Sequence, residues 1–435
     1  MTPLAVRPTA PAAVHSRRVL LAGAAGNFVE WYEFGVYGAF ATVIAERFFT
    51  PAAGQGGAGP LVATYASFAV AFFFRPAGAL LFGRLGDRIG RRPALILVIA
   101  LMTLATTLIG LLPTRATVGA AAPWLLTGLR ILQGLCLGGE FGGAVALMTE
   151  SAPPGRRGRH GAWQSFTVAL GLLAGAAVAA LLATVLSPAA LHAWGWRIPF
   201  LLALPLGLAA YRLRSALPDE PGPPPRTPPG GSTRSTTRST TARAVVLGIG
   251  RLMGWSAAGY TFLVVLPSYL QATLGASFRE ALIATTLANL GFAAAILPAG
   301  ILSDRVGRRP VMLAGALAVT LFALPLLHLL QDPAAPAPAR AAAVLAAGAT
   351  VGLLAGPGPA MLAEMFPARV RCTGLGLAYA LTGAVFSGCA GLVITTLTAA
   401  TGDPDIPAYY AAGACALSAL ALSGLRGDDH RGPLR

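Results

Sequence analysis

One eleven-residue string occurs twice, half a chain apart. Residues Gly83 to Pro93 read GRLGDRIGRRP and residues Gly300 to Pro310 read GILSDRVGRRP, each between two long apolar stretches. A basic loop repeated inside doubled blocks of membrane-length segments is the pattern of a membrane carrier built from two related halves. A soluble enzyme has no evident reason to carry it.

Composition agrees. Of 435 residues, 55% are hydrophobic and only 11% charged, against roughly 25% charged in a water-soluble protein. Lipid is therefore the solvent for most of the chain. The formal net charge of +16 does not indicate nucleic acid, because the arginines sit in short clusters between apolar runs and not on one face of a polar domain. Every basic side chain is Arg, a coding bias expected of a GC-rich bacterium, so no argument rests on Arg having been chosen over Lys. Cys136, Cys372, Cys389 and Cys415 lack metal or CxxC spacing and read as small apolar fillers. No metal motif and no cofactor is expected.

A spanning helix needs about 20 largely apolar residues. That ruler gives twelve spans, near 19–46, 61–82, 94–113, 122–150, 161–186 and 197–216, then 244–272, 280–302, 310–330, 341–364, 372–400 and 407–425. The expected fold is all-α: a polytopic membrane protein of two pseudo-symmetric six-helix bundles, 19–216 and 244–425. Residues 1–18 form a tail, 217–243 a Pro-, Gly-, Ser- and Thr-rich flexible linker, and 426–435 a second tail. Arginine clusters alternate along the chain so that, by the positive-inside rule, both termini face the cytoplasm. A second repeat, Glu150-Ser-Ala-Pro-Pro-Gly-Arg-Arg against Glu364-Met-Phe-Pro-Ala-Arg-Val-Arg, follows at nearly the same period.

Six charged residues fall deep inside apolar spans: Glu30, Glu33, Arg75, Arg130, Glu140 and Arg251. A charge at the bilayer centre costs about 2.5–3.5 kcal/mol on insertion scales, so such residues persist when they pair, face water or work. At about 1.5 Å per residue, Glu30 lies roughly 18 Å and Glu33 roughly 22 Å beyond Arg18. Their i, i+3 spacing puts them on one helix face. Neighbouring carboxylates raise each other's proton affinity, and burial acts the same way; this is what proton coupling requires. The competing reading pairs one or both with Arg130, which is closer in depth to Glu33. Glu140, about 15 Å deep, and Arg75, about 13 Å deep, are placed to meet. Their pairing is either structural or a contact that breaks and reforms; Glu140 is the third proton-coupling candidate, and Arg75 a substrate-binding one. Trp31 and Tyr32 flank the acidic pair. They contact a cationic ligand if they face a cavity, or pack between helices if they do not.

The repeated strings have a mechanical reading. Asp87 and Asp304 each follow a span and precede arginines, Arg88 and Arg91 in one, Arg305 and Arg308 in the other. Each acid can tie its loop to neighbouring helix ends and so act in gating. Gly83, Gly90, Gly300 and Gly307 permit tight turns and close approach. The competing reading, topology set by positive charge alone, suits the outer Arg92 and Arg309.

At these residues the chain resembles the major facilitator superfamily over nearly its whole length. GxLxDRxGRR is similar to that superfamily's loop signature, and Arg130-Ile-Leu-Gln-Gly to its RxxQG element. Gly26-Asn-Phe-Val-Glu-Trp-Tyr-Glu-Phe34, Phe74-Arg-Pro-Ala-Gly78 and Leu137-Gly-Gly-Glu-Phe-Gly142 resemble its metabolite:proton symporters, carriers of α-ketoglutarate, citrate, shikimate and proline/betaine. One departure is Glu33, where that family usually has Asp. The resemblance implies a central cavity lined by spans 1, 4, 7 and 10, which makes Arg130 and Arg251 candidates for holding an anionic group; snorkelling competes for Arg251. It implies a monomeric bacterial inner-membrane carrier that moves a small carboxylate or zwitterion with protons by alternating access. A drug:proton antiporter is the alternative within the class. A non-transporting osmosensor or receptor is the alternative outside it, and no terminal heptad repeat supports that. No nucleophile–base or metal pattern supports an enzyme.

Overall fold

The computed structural model describes residues 10–51, 57–89, 91–138, 140–150, 152–153, 155–215, 234–368 and 370–425. All regular structure among them is helical. The first six long helices are α1 (Ala10–Ala39), α2 (Gly59–Ile89), α3 (Arg91–Leu111), α4 (Ala121–Leu137, resuming as Glu140–Glu150), α5 (Arg157–Val185) and α6 (Arg197–Ser215). The last six are α7 (Arg234–Tyr260, resuming as Leu266–Ala272), α8 (Phe278–Val306), α9 (Arg308–Gln331), α10 (Ala337–Ala355, resuming as Gly358–Met365), α11 (Arg371–Thr382, resuming as Ala390–Thr401) and α12 (Ile406–Ser423). Ten are long and apolar enough to cross a bilayer, and α6 makes an eleventh span with the short Pro188–Gly195 segment, bent from it by 49°. The 30-residue α1 is the twelfth long helix.

These segments are helical because lipid leaves the backbone no other partner than itself. The same constraint tolerates Pro76, Pro205, Pro298 and Pro325 inside helices, since neighbouring helices re-satisfy the freed groups. Outward faces are apolar without being buried: Leu420 is 72% and Val185 71% exposed, a surface suited to acyl chains and not to water.

Three expectations are corrected. The repeated strings are not loops. Helix α2 runs on to Ile89 and α8 to Val306, and each is followed almost at once by the next helix. The second corner turns on Gly307 alone, at φ 98°, a conformation that only glycine enters without strain; Gly90, its counterpart, lies outside the described residues. The expected linker is helical from Arg234 onward, because a helix anchored in the bundle propagates outward at little cost once nucleated; residues 216–233 lie outside the described part. The helix α1 likewise begins at Ala10, within the expected tail; residues 1–9 and 426–435 are outside it.

Helix α1 packs on α5 and α6, and α2 on α4; correspondingly α7 packs on α11 and α12, and α8 on α10. The two sets meet through α5 on α8 and α2 on α11, with α1 against α7 and α4 against α11 between them. Association of apolar helices in lipid depends on close packing, which small residues permit. A side chain on Gly134 of α4 would strike the Ala71 carbonyl of α2, and one on Gly348 of α10 the Ala288 carbonyl of α8. The two glycines are 214 positions apart, the offset that also separates Glu150 from Glu364. The halves thus solve the same packing problem with the same residue.

Gly348→Val should therefore lower the melting temperature of the detergent-solubilised protein by several degrees, in line with about 1–3 kcal/mol for overpacking. Gly413→Ala, where the added atom meets open space, should leave it unchanged. Equal melting temperatures for the two variants would remove the close-approach argument.

Candidate functional site

A cavity of about 40 Å³ lies between the two sets of helices. Helix α1 contributes Asn27, Glu30 and Trp31, α2 contributes Arg75, and α5 contributes Gln164 and Thr167. Phe141 and Met148 of α4 and Tyr379 of α11 complete its main walls. Its free volume holds a few waters at most. The helices touch on both sides of it. At the end bearing the repeated corners, here the basic end, Ser165 Oγ donates to the Ala355 carbonyl at 2.8 Å. At the other end Tyr65 and Ser268 hydroxyls bond at 2.7 Å, Thr42 Oγ1 donates to Gln271 at 2.9 Å, and the Phe40 and Phe278 rings meet at 5.5 Å.

Sequence reasoning brings some residues here and misplaces others. Glu30, Trp31 and Arg75 line the cavity. Tyr32 does not: it is 1% exposed, and its hydroxyl donates to the Pro199 carbonyl of α6 at 2.9 Å, so of the two readings open for it the packing one holds. Arg251 does not either. Its guanidinium donates to the carbonyls of Ala421 and Gly424 at 3.3 and 3.5 Å, where the end of α12 leaves carbonyls without intrahelical partners. The backbone of Glu140 opens the second segment of α4; its side chain lies outside the described part, as do those of Asp87 and Arg91.

Arg130 is beside the cavity, not in it. Its charge is enclosed by ring faces, with Cζ 4.3 Å from the centroid of Tyr37, 4.8 Å from Phe68 and 4.9 Å from Phe34. Nη1 donates to Gln133 at 2.7 Å, while Nε and Nη2 have no acceptor. Cation–π attraction replaces the missing anion in part. Arg75 is held likewise, 3.9 Å from Phe72 and 5.4 Å from Phe34. Neighbouring Glu33 is 1% exposed, and neither carboxyl oxygen has a hydrogen-bond partner. The Thr106 hydroxyl beside it is already engaged, donating to the Met102 carbonyl at 3.1 Å and accepting from Gln133 at 2.6 Å. The pairing of Glu33 with Arg130, the reading that competed with proton coupling, is thus not formed here, although the two groups are within each other's field.

The basic end holds the better-satisfied charges. Asp304, on the last turn of α8, accepts from the backbone N–H of Gly158 at 2.7 Å and of Arg159 at 2.8 Å. It thereby caps the N-terminus of α5, a helix of the other set, where unpaired N–H groups and the helix dipole favour an anion. Arg308 bridges Asp304 at 2.7 Å and Glu364 at 2.9 Å. Glu364 also reaches Arg157 of α5 at 3.9 Å. The counterpart of this last contact in the repeat joins Glu150 to Arg371 of α11. Gly300 lets α5 approach, its added Cβ meeting Ala162 and the Gly158 carbonyl. Arg305 and Arg88 are exposed. Sequence reasoning missed Glu150, Glu364, Arg157 and Arg371 as partners, yet the signal was there: the second repeat carries an acid and an arginine at a common 214-residue offset.

Comparison with known proteins follows the same lines. Residues 19–222 match the family described as "Sugar (and other) transporter", and residues 246–435 that described as "Major Facilitator Superfamily". The chain is 34% identical over 420 residues to an ectoine/proline transporter of Corynebacterium glutamicum, covering 91% of this chain and 81% of the relative. It is 35% identical over 383 residues to the α-ketoglutarate permease of Escherichia coli, covering 87% and 86% respectively. The crystal structure of a D-xylose-proton symporter superposes with a TM-score of 0.74 at 19% identity over 94% of this chain and 98% of that one, which establishes a common fold.

Because Asp304 ties two sets of helices through charge-assisted bonds, each worth about 1.5–3 kcal/mol, Asp304→Asn should loosen the basic end. A cysteine placed at Ala144, which lines the cavity, in a background without native cysteines should then react several-fold faster with a water-soluble thiol reagent added on the basic side. An unchanged rate would show that this cap does not hold that end closed.

Proposed function

The chain belongs to the major facilitator superfamily of membrane transporters, in the group of metabolite:proton symporters, and on that premise we propose that it carries a small polar metabolite into the cell together with protons. The basic end faces the cytoplasm by the positive-inside rule, and the membrane is the bacterial inner membrane. The two sets of helices rock about the α5–α8 and α2–α11 contacts, so that the cavity opens to one side at a time.

Glu33 carries this reading. A carboxylate left without a partner in an apolar interior costs several kcal/mol, whereas the protonated acid does not. In the closed state Glu33 has no partner, and Arg130 is short of acceptors. The neutral acid therefore suits the closed state. When the cavity opens and water enters, the proton can leave and the carboxylate can pair with Arg130. Proton release is thus tied to the opening of the bundle, which is the linkage symport needs. Glu30, on the cavity wall one turn away, is positioned to meet the substrate and to pass the proton between Glu33 and the cavity. Asp304, Arg308 and Glu364 act as the inner gate, and Gly307 with Gly300 sets the corner on which that gate is mounted.

The relatives carry zwitterions in one case and α-ketoglutarate in another, so the substrate is a small molecule with at least one carboxylate. In proteoliposomes with a proton gradient directed inward, Glu33→Gln should abolish accumulation of that substrate against its gradient and retain at least part of the exchange of internal for external substrate. Accumulation at the parental level in Glu33→Gln would remove Glu33 from the coupling mechanism.

A further inference from the structure

The cavity holds unmet hydrogen-bonding groups of both signs. On its α2 wall, Nε and Nη2 of Arg75 have no acceptor, and the side chain is 4% exposed. From α5, Oε1 of Gln164 has no donor, and that residue is 3% exposed. Both line the same space. Asn27, a neutral donor in the same cavity, is committed elsewhere: its Nδ2 donates to the Gln164 carbonyl at 3.2 Å and to Thr167 Oγ1 at 2.5 Å. The protein thus encloses two donors of a cationic fork and one neutral acceptor that it does not itself satisfy, an arrangement native interiors avoid unless another molecule completes it.

Each ligand class meets these groups differently. A dicarboxylate brings acceptors at both ends; one suits Arg75, and the other shares the cavity with the Glu30 carboxylate, an anion set against an anion. A simple cation suits Gln164 and Glu30 but is repelled by Arg75. A molecule with a carboxylate at one end and a protonated amine at the other has a partner for each wall once parting of the helices enlarges the space. Its carboxylate takes the unpaired edge of the guanidinium, and its amine donates to Gln164. The rings of Trp31, Phe141 and Tyr379 line the same space, and Phe141 and Tyr379 stack on each other with centroids 3.5 Å apart.

We propose that the transported metabolite is a small amino- or imino-acid zwitterion, its carboxylate on Arg75 and its ammonium on Gln164, with Glu30 completing the cationic end. The inference rests on the reading of the chain as a proton-coupled symporter and narrows that reading to one substrate class. It also separates two roles: Glu33 carries the proton, and Gln164 with Glu30 recognises the substrate's amine. Gln164 is a specificity-determining residue that the sequence pattern did not mark.

The test uses the full chain in lipid nanodiscs and measures affinity for the common amino acids, proline among them, and for matched analogues. Cyclopentanecarboxylate keeps proline's ring and carboxylate without the amine; pyrrolidine keeps the amine without the carboxylate; succinate and xylose represent dianions and neutral sugars. At least one zwitterion should bind, and its analogue lacking either charge should bind about 100-fold or more weakly, as expected where buried polar groups are left unpaired. Gln164→Leu should weaken the zwitterion about tenfold or more and leave the amine-free analogue unaffected, while Gln164→Glu should preserve or tighten it. A purely structural role for Gln164 would move both analogues together. Failure of every zwitterion to bind, or succinate, xylose or cyclopentanecarboxylate binding as tightly as the best zwitterion, overturns the proposal. Proton-driven uptake measured alongside keeps the two readings apart. An anion or sugar accumulated with protons leaves symport standing and removes the zwitterion; zwitterion binding without proton-linked uptake does the reverse.

Discussion

Two guanidinium groups, those of Arg75 and Arg130, are buried in a protein whose surroundings are lipid, and both lie against aromatic faces. Much of the remaining architecture answers to this. A cation in such a place must be compensated, and rings compensate without fixing the charge to one anion as an ion pair does. Phe34, Phe68 and Phe72 from α1 and α2 therefore form a cluster in which Phe34 and Phe72 touch Arg75, while Phe34 and Phe68 touch Arg130. Tyr260 of α7 closes that cluster from the other set of helices, 5.5 Å from Phe72 and 6.1 Å from Phe68. The same rings hold the charges and seal the interface.

That arrangement leaves unpaired groups where a carrier can use them. Glu33 and Arg130 are close but not hydrogen-bonded to each other, and Arg75, which lines the cavity, keeps two guanidinium nitrogens without an acceptor. The basic end is the opposite case: Asp304, Arg308, Glu364 and Arg157 are joined to one another or to a helix N-terminus at short distances. Frustration is concentrated at the centre and satisfaction at the gate. A closed state built this way is stable at one end and poised in the middle, so a ligand that satisfies the middle shifts the balance between states by its differential contacts alone.

Legibility from the chain followed the range of the forces involved. The spans were readable because hydrocarbon thickness sets their length, and observed spans such as Pro93–Leu111 and Ile406–Ser423 fall within a residue or two of the apolar runs at 94–113 and 407–425. The acid at 304 was readable as a tie to a neighbouring helix end because it recurs in a repeated string next to arginines. Which helix it ties was not, since α5 lies some 145 residues earlier in sequence. Tyr32 and Trp31 are adjacent in sequence and equally aromatic, but one faces α6 and the other the cavity. Helix rotation separates neighbours by about 100°, and only packing sets the zero of that rotation.

From the amino-acid order alone follow the membrane solvent, the twelve spans, the doubling and the presence of charges that cannot be there for solubility. Those are local or compositional properties, read through hydropathy and repetition. The tertiary structure alone decided that Arg251 serves the end of α12, that Arg130 is caged by rings beside the cavity, and that Gln164 leaves an acceptor unmet within it. Each of these depends on which helices meet and through which faces, and that choice is made by close packing between segments distant in sequence.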